Sequence, residues 1–148
     1  MGKILLIGGI GAGKTTLKQK LTNQAVSYSK TQMLDFSSIF VDCPGEYLEI
    51  PRYYHVLIDT SHRVSEVWAL LDPTKSRAIY PPNFTKTFRK PVIGIITKID
   101  LLQADIERSM DFLERAGIEE EIYQVSVMTG VGLEGLKARI EALSGQFN

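Results

Sequence analysis

Apolar residues along this chain fall into short continuous runs, separated by stretches with helical spacing. Lys3–Ile7 reads as a strand, and Lys14–Thr22 as a helix that turns Leu17 and Leu21 inward. Ile39–Val41, Val67–Leu71, Val92–Ile96 and Ile122–Val127 are further apolar runs. Because these runs are unbroken rather than alternating, they suit strands of a mostly parallel sheet covered on both faces. Ile106, Met110 and Leu113 recur at i, i+4 and i+7, with Gly117 as a stop signal. Leu133, Leu136, Ile140 and Leu143 repeat that pattern, with Gly145 beyond. Strand–helix alternation of this kind predicts right-handed βαβ units, hence an α/β fold with a doubly wound sheet and helices on both faces.

The stretch from Pro73 to Lys90 breaks the pattern. It carries Lys75, Arg77, Lys86, Arg89 and Lys90 without an acidic residue. Two readings fit it: a loop or short helix facing water, or a docking surface for an acidic partner. His55 and His62 lie in the segment after Pro51, and His55 with Tyr53 and Tyr54 reads either as half-buried packing or as a partner-facing patch. Neither histidine has Cys or acidic neighbours at metal-ligand spacing. Trp68 reads as core.

Composition narrows the class. At 148 residues the chain is expected to form one domain over 1–148. Seventeen basic and seventeen acidic residues cancel, so no global field argues for nucleic acid or an anionic membrane. The lone Cys43 precludes an internal disulfide and suits a reducing compartment. The first apolar run is too short for a secretory segment or a bilayer span, and Leu6 stands where a myristoylation signal needs Ser or Thr. A cytoplasmic protein is expected.

The candidate chemistry begins at Gly8-Gly-Ile-Gly-Ala-Gly13-Lys14-Thr15, which fits G-x-x-x-x-G-K-[ST] between a strand and a helix. Glycines let backbone N–H groups wrap phosphates, and the helix N-terminus adds positive potential. Lys14 would neutralise β- and γ-phosphates, and the Thr15 hydroxyl would bind Mg²⁺. Asp42-Cys-Pro-Gly45 follows the next apolar run. There Asp42 would hold Mg²⁺ through water, and Gly45 would offer its N–H to the γ-phosphate. Thr97-Lys98-Ile99-Asp100 follows Val92–Ile96. Asp100 could accept two hydrogen bonds from guanine N1 and N2 while the Lys98 stem lies over the base. Ser126 opens a loop whose N–H groups could meet the base carbonyl.

In this order the motifs resemble Ras-like GTPases of the translation-factor class. The whole chain is more closely similar to the EutP/PduV family of ethanolamine and propanediol utilisation. That resemblance rests on Gly-Ala-Gly-Lys-Thr-Thr (11–16), Lys-Thr-Gln (30–32), Asp-Cys-Pro-Gly-Glu-Tyr (42–47), Pro-Arg-Tyr-Tyr-His (51–55) and the run 91–100. It implies a P-loop protein tied to bacterial microcompartments. It also implies that Thr16 belongs to the phosphate site and that Thr31 senses Mg²⁺ and γ-phosphate. Two departures stand out. Residues 15–41 leave room for only two short strands, around Gln32–Phe36 and Ile39–Val41. Glu46 stands where Ras-like proteins place the glutamine that orients water, and an ionised glutamate accepts but cannot donate.

Three functions are consistent with these residues. The first is a GTP switch with slow Mg²⁺-dependent hydrolysis, in which Lys14, Thr31 and Glu46 serve the chemistry. The second is an ATP-dependent kinase acting on a small metabolite such as acetate, as the metabolic setting of the resemblance admits. The third is a nucleotide-bound, non-catalytic adaptor docking a shell or filament protein.

Overall fold

The computed structural model describes residues 2–28, 39–119 and 121–145. Thr31 and the expected strand at Gln32–Phe36 lie outside them. Five strands, β1 (Ile4–Ile7), β2 (Phe40–Asp42), β3 (Glu66–Leu71), β4 (Val92–Ile96) and β5 (Ile122–Gln124), form one sheet in the order β2-β1-β3-β4-β5. All pairs are parallel, with Leu6 beside Asp42 and beside Trp68. The helices are α1 (Lys14–Tyr28), α2 (Glu46–Glu49), α3 (Tyr54–Ser61), α4 (Ile106–Arg115) and α5 (Leu133–Gly145).

Side-chain alternation along each strand splits the core into two layers. Leu5, Ile7, Val67, Ala69 and Leu71 face α2, α3 and α4 through Leu48, Leu57 and Leu113. Ile4, Leu6, Trp68, Leu70 and Ile95 face α1 and α5 through Leu17, Leu21, Leu136 and Ile140. Both faces are covered, as the unbroken apolar runs require.

Three boundaries differ from expectation. α1 runs on to Tyr28 rather than Thr22, because no Gly or Pro interrupts 14–28 even though the apolar spacing fades after Leu21. β5 stops at Gln124 rather than Val127. Ser126 gives its N–H to the Val131 carbonyl at 3.0 Å, and that bond curls the chain away from the ladder. Gly145 is the last residue of α5 rather than a residue beyond it.

The crossover from β3 to β4 contains a single 3₁₀ turn at Phe84–Thr87 and no α-helix. Its cationic residues face water, apart from a half-buried Lys90, but Tyr80, Phe84 and Phe88 are buried against the sheet. The water-facing reading of Pro73–Lys90 therefore holds for its charges and fails for its aromatics. Phe84 stacks edge-on to Tyr54 of α3 at 4.9 Å and to Phe88 at 5.5 Å, so an aromatic strap fills the space of a crossover helix. The Tyr80 hydroxyl donates to the Leu70 carbonyl at 2.7 Å. Tyr53 and Tyr54 are half-buried as the packing reading expects, whereas His55 is exposed.

At the N-terminal end of β3, Arg139 of α5 forms a bidentate pair with buried Glu66, Nε–Oε1 at 2.7 Å and an Nη2–Oε2 bond of 2.9 Å. Trp68, fully buried as expected, donates its indole N–H to the same carboxylate at 2.7 Å. This network ties α5 to the sheet. Arg139→Met should lower unfolding free energy by about 3 kcal/mol, because a buried carboxylate loses its counter-charge. Adding Glu66→Gln should restore part of the loss. Urea denaturation of both variants measures it.

Candidate functional site

The sequence-predicted residues outside 29–38 gather at the C-terminal ends of the strands. Residues 8–13 turn sharply between β1 and α1. Gly11 and Gly13 have φ of 80° and 98°, a region where side chains are strained. Gly8 packs so closely that a Cβ there would lie 3.1 Å from Ala12 Cβ. Lys14 opens α1 and donates its ammonium to the Gly8 carbonyl at 2.7 Å and more weakly to Gly9 at 3.5 Å. Burial pushes the Lys14 pKa below its ordinary value, against the opposing pull of Asp42, Cys43, Glu46 and Glu49. A polyphosphate would give that partly desolvated cation a stronger partner than two carbonyls.

Thr15 and Thr16 are exposed in the first turn of α1, and Asp42 is exposed where β2 ends beside β1. Hydroxyl and carboxylate oxygens are the hard donors Mg²⁺ prefers, completed by phosphate and water rather than by a protein cage. The donor set fits that ion. Among the described residues no cluster of three His, Cys, Asp or Glu residues could hold a metal without such help.

Gly45 has ordinary helical φ, so its need for glycine is spatial. A Cβ would meet the Ile10 nitrogen at 2.6 Å and the Gly9 carbonyl carbon at 2.9 Å. The D-x-x-G turn therefore lies directly on the first half of the phosphate loop. Glu46, exposed, begins α2 there. One residue that sequence reasoning missed, Glu49, accepts the Ile10 N–H at 3.4 Å. It falls in no motif, so only the fold brings it to the loop.

The T-K-x-D segment supports the phosphate loop from behind. Thr97 is buried, and its hydroxyl donates to the Ala12 carbonyl at 2.8 Å and to Leu71 at 3.2 Å. Lys98, at a left-handed φ of 54°, donates to the Gly11 carbonyl at 2.6 Å and to Asp72 at 3.0 Å. Asp72 was also missed. Its other oxygen accepts the N–H and hydroxyl of Thr74 at 2.9 and 2.6 Å. Burial works to raise the Asp72 pKa, but the Thr74 and Lys98 hydrogen bonds outweigh it and hold the group below the ordinary carboxylate value. An aspartate two residues before a threonine, at a strand end, is an Asx-turn signal that could have found it.

Asp100 is exposed and accepts the hydroxyl of fully buried Ser126 at 2.8 Å. Ser126 also accepts the Thr129 N–H at 3.1 Å. Gly130 and Gly132 turn this loop with φ of 84° and 80°. The two base-recognition candidates are thus joined, leaving one Asp100 oxygen without a partner among the described residues.

Next to Gly9 and Ile10, on the side of α2, lies a cavity of about 690 Å³. α2, α3 and the segment 70–79 wall it, and Lys75 and Arg77 stand at it. Neither cation forms an ion pair among the described residues.

Cys43 is buried in the apolar layer of Leu5, Ile7 and Leu48, and burial, reinforced by Asp42, raises its pKa above the ordinary thiol value. The thiolate is the reactive form. Iodoacetamide should therefore modify Cys43 more slowly than free cysteine, with the rate still rising at pH values where free thiols have levelled off. Mass spectrometry over a pH series checks this.

The chain matches, over residues 1–142, the family described as "Ethanolamine utilisation - propanediol utilisation". It is 32% identical over 135 residues to the propanediol utilization protein PduV of Citrobacter freundii, covering 90% of this chain and 89% of that protein. It is 31% identical over 148 residues to the probable acetate kinase EutP of Salmonella typhimurium, covering 99% and 93%. Among solved structures, a GTP-binding protein of Sulfolobus solfataricus in complex with GDP superposes with a TM-score of 0.60 at 17% identity. That superposition covers 99% of this chain but only 53% of the other. A phosphate loop braced from β4 on a five-stranded parallel sheet, together with these likenesses, places the chain in the PduV–EutP family, built on the P-loop GTPase fold.

Proposed function

We propose that this protein binds GTP with Mg²⁺, hydrolyses it slowly, and acts as a nucleotide switch in ethanolamine or propanediol utilisation. The observation that carries the reading is the bond between Asp100 and Ser126. It fixes a carboxylate where guanine N1–H and N2–H₂ can both donate to it, a pair of donors adenine lacks. The Val127 and Met128 N–H groups make no backbone hydrogen bond among the described residues, which leaves donors for the guanine carbonyl.

At the other end of the nucleotide, the phosphates lie along residues 8–15. With nucleotide bound, Lys14 would turn its ammonium from the Gly8 carbonyl to the β- and γ-oxygens, and Thr15 and Asp42 would hold Mg²⁺; the family resemblance assigns Thr31, outside the described residues, to the same ion. Mg²⁺ supplies charge neutralisation of the phosphates. The Gly45 N–H meets the γ-phosphate, so α2 responds to its presence or loss. Family membership links the switch to its pathway, and a microcompartment shell or pathway protein is the partner we assign to it. We assign it to the cytoplasm; no helix among the described residues is long and apolar enough to cross a membrane.

Asp100→Asn should turn preference from guanine towards xanthine nucleotides by about 10²-fold or more, since the exchanged group now donates where guanine also donates. Competition binding of GTP against XTP tests it, and unchanged GTP affinity would remove the guanine assignment. An ionised Glu46 accepts but cannot donate to an attacking water. Unassisted turnover should therefore be near 10⁻⁴ s⁻¹, measured as phosphate release from excess GTP. Fast multiple turnover by the isolated protein would contradict it.

A second reading, transfer of the terminal phosphoryl group to a small carboxylate with ATP or GTP as donor, is favoured by the cavity beside Gly9 and Ile10. Plain hydrolysis has no use for it, and the EutP relative is named a probable acetate kinase.

A further inference from the structure

The cavity lies beside the nucleotide cleft and does not overlap the base-recognition residues. Its floor is Gly9, Ile10 and Ala12, and Lys98, Asp100 and Ser126 do not line it. Gly45 packs against Gly9 and Ile10, so this is the end of the loop where a terminal phosphate would sit. The cavity therefore opens where a second reactant would have to approach that phosphate.

Its chemistry favours an anion with a short apolar body. Lys75 and Arg77 bring two positive charges with no ion-pair partner among the described residues. The two carboxylates at its walls are engaged: Asp72 by Lys98 and Thr74, Glu49 by the Ile10 N–H. Leu48, Tyr54, Leu71 and Ile79 supply the apolar lining. Ile79 closes over Gly9 so tightly that any side chain at position 9 would run into it.

We propose that this cavity is the binding site for a small aliphatic carboxylate, with Arg77 and Lys75 holding the carboxylate group beside the terminal phosphate. The proposal rests on the phosphotransfer reading and locates its acceptor. In the step, one carboxylate oxygen forms a bond to Pγ, and the bond from Pγ to the β,γ-bridging oxygen breaks. The electron pair leaves on the nucleoside diphosphate, and an acyl phosphate is the other product. A carboxylate attacks without losing a proton, so the step needs no general base. Its obstacle is repulsion between two anions, which the paired cations offset. A planar guanidinium at position 77 also matches a carboxylate in geometry. The site holds chains of several carbons, so acetate occupies only part of it.

The test measures binding of acetate, propionate and butyrate by saturation-transfer NMR, with Mg²⁺ and the β,γ-methylene analogue of ATP or of GTP present. Saturable binding is expected, tightening from acetate to butyrate. Arg77→Gln and Ala78→Trp, the second filling the cavity, should each weaken it at least tenfold while circular dichroism shows an unchanged fold. Lys86→Gln, a basic residue of the same segment paired with Glu119 away from the cavity, should leave binding as it is. No binding to the wild type, or equal binding by all variants, overturns the site. Trapping with hydroxylamine separates it from the reading beneath it. Binding with this variant pattern but no hydroxamate leaves the site standing and removes phosphotransfer. Hydroxamate formation with a carboxylate KM unmoved by Arg77→Gln and Ala78→Trp removes the site and keeps phosphotransfer.

Discussion

The geometry of residues 8–15 depends on who satisfies the carbonyls on the outside of that turn. A loop that aims its N–H groups at phosphate must leave its carbonyl oxygens pointing elsewhere, and buried carbonyls without partners are costly. Here the end of β4 supplies them. Thr97 donates to Ala12, and Lys98 donates to Gly11. One strand thereby supports the phosphate loop and also leads into Asp100, the proposed base contact. The parallel sheet makes this possible, since all strand ends with the same direction open on the same edge.

The second dependence is steric. Gly45 approaches the Gly9–Ile10 backbone at distances that no other residue could adopt. α2 begins at the next residue, and α3 follows it onto the aromatic strap through Tyr54 and Phe84. Displacement at the terminal-phosphate end of the loop thus meets a packed path rather than a free surface. The same packing shapes the cavity. The β3–β4 crossover is a strap and not a helix, and beside its first half lies space bounded by Leu71, Leu48 and Ile79.

Those parts of the candidate site that consist of contiguous residues could be read as motifs in the sequence. The phosphate loop, D-x-x-G and T-K-x-D each need particular residue types at fixed short spacing, because one turn of backbone does the work. The existence of β1, β3 and β4 followed from unbroken apolar runs, whereas their order in the sheet came only from the fold. Asp72 and Glu49 were not legible, since their partners Lys98 and Ile10 are distant in sequence and only the fold brings them near. The strap was misread for a related reason. Tyr80, Phe84 and Phe88 follow no strand period, and five cations among them mask how deeply the rings are buried. In β5 the apolar run outlasts the strand, because the ladder ends through a hydrogen bond of Ser126 that hydrophobicity does not encode.

Lys98 holds a backbone conformation that an L-residue adopts at a cost of about 1 kcal/mol. Its two side-chain bonds offset that cost only while Gly11 and Asp72 stay in place. The tension in this single peptide is therefore shared between the two ends of the nucleotide cleft. Under the proposed nucleotide binding, a ligand that tightened the phosphate turn would lower the energy of the proposed base-contacting conformation, and by reciprocity a well-matched base would stiffen the turn. Free base and free polyphosphate would then each bind less well than the sum of their contacts suggests, and the intact nucleotide better.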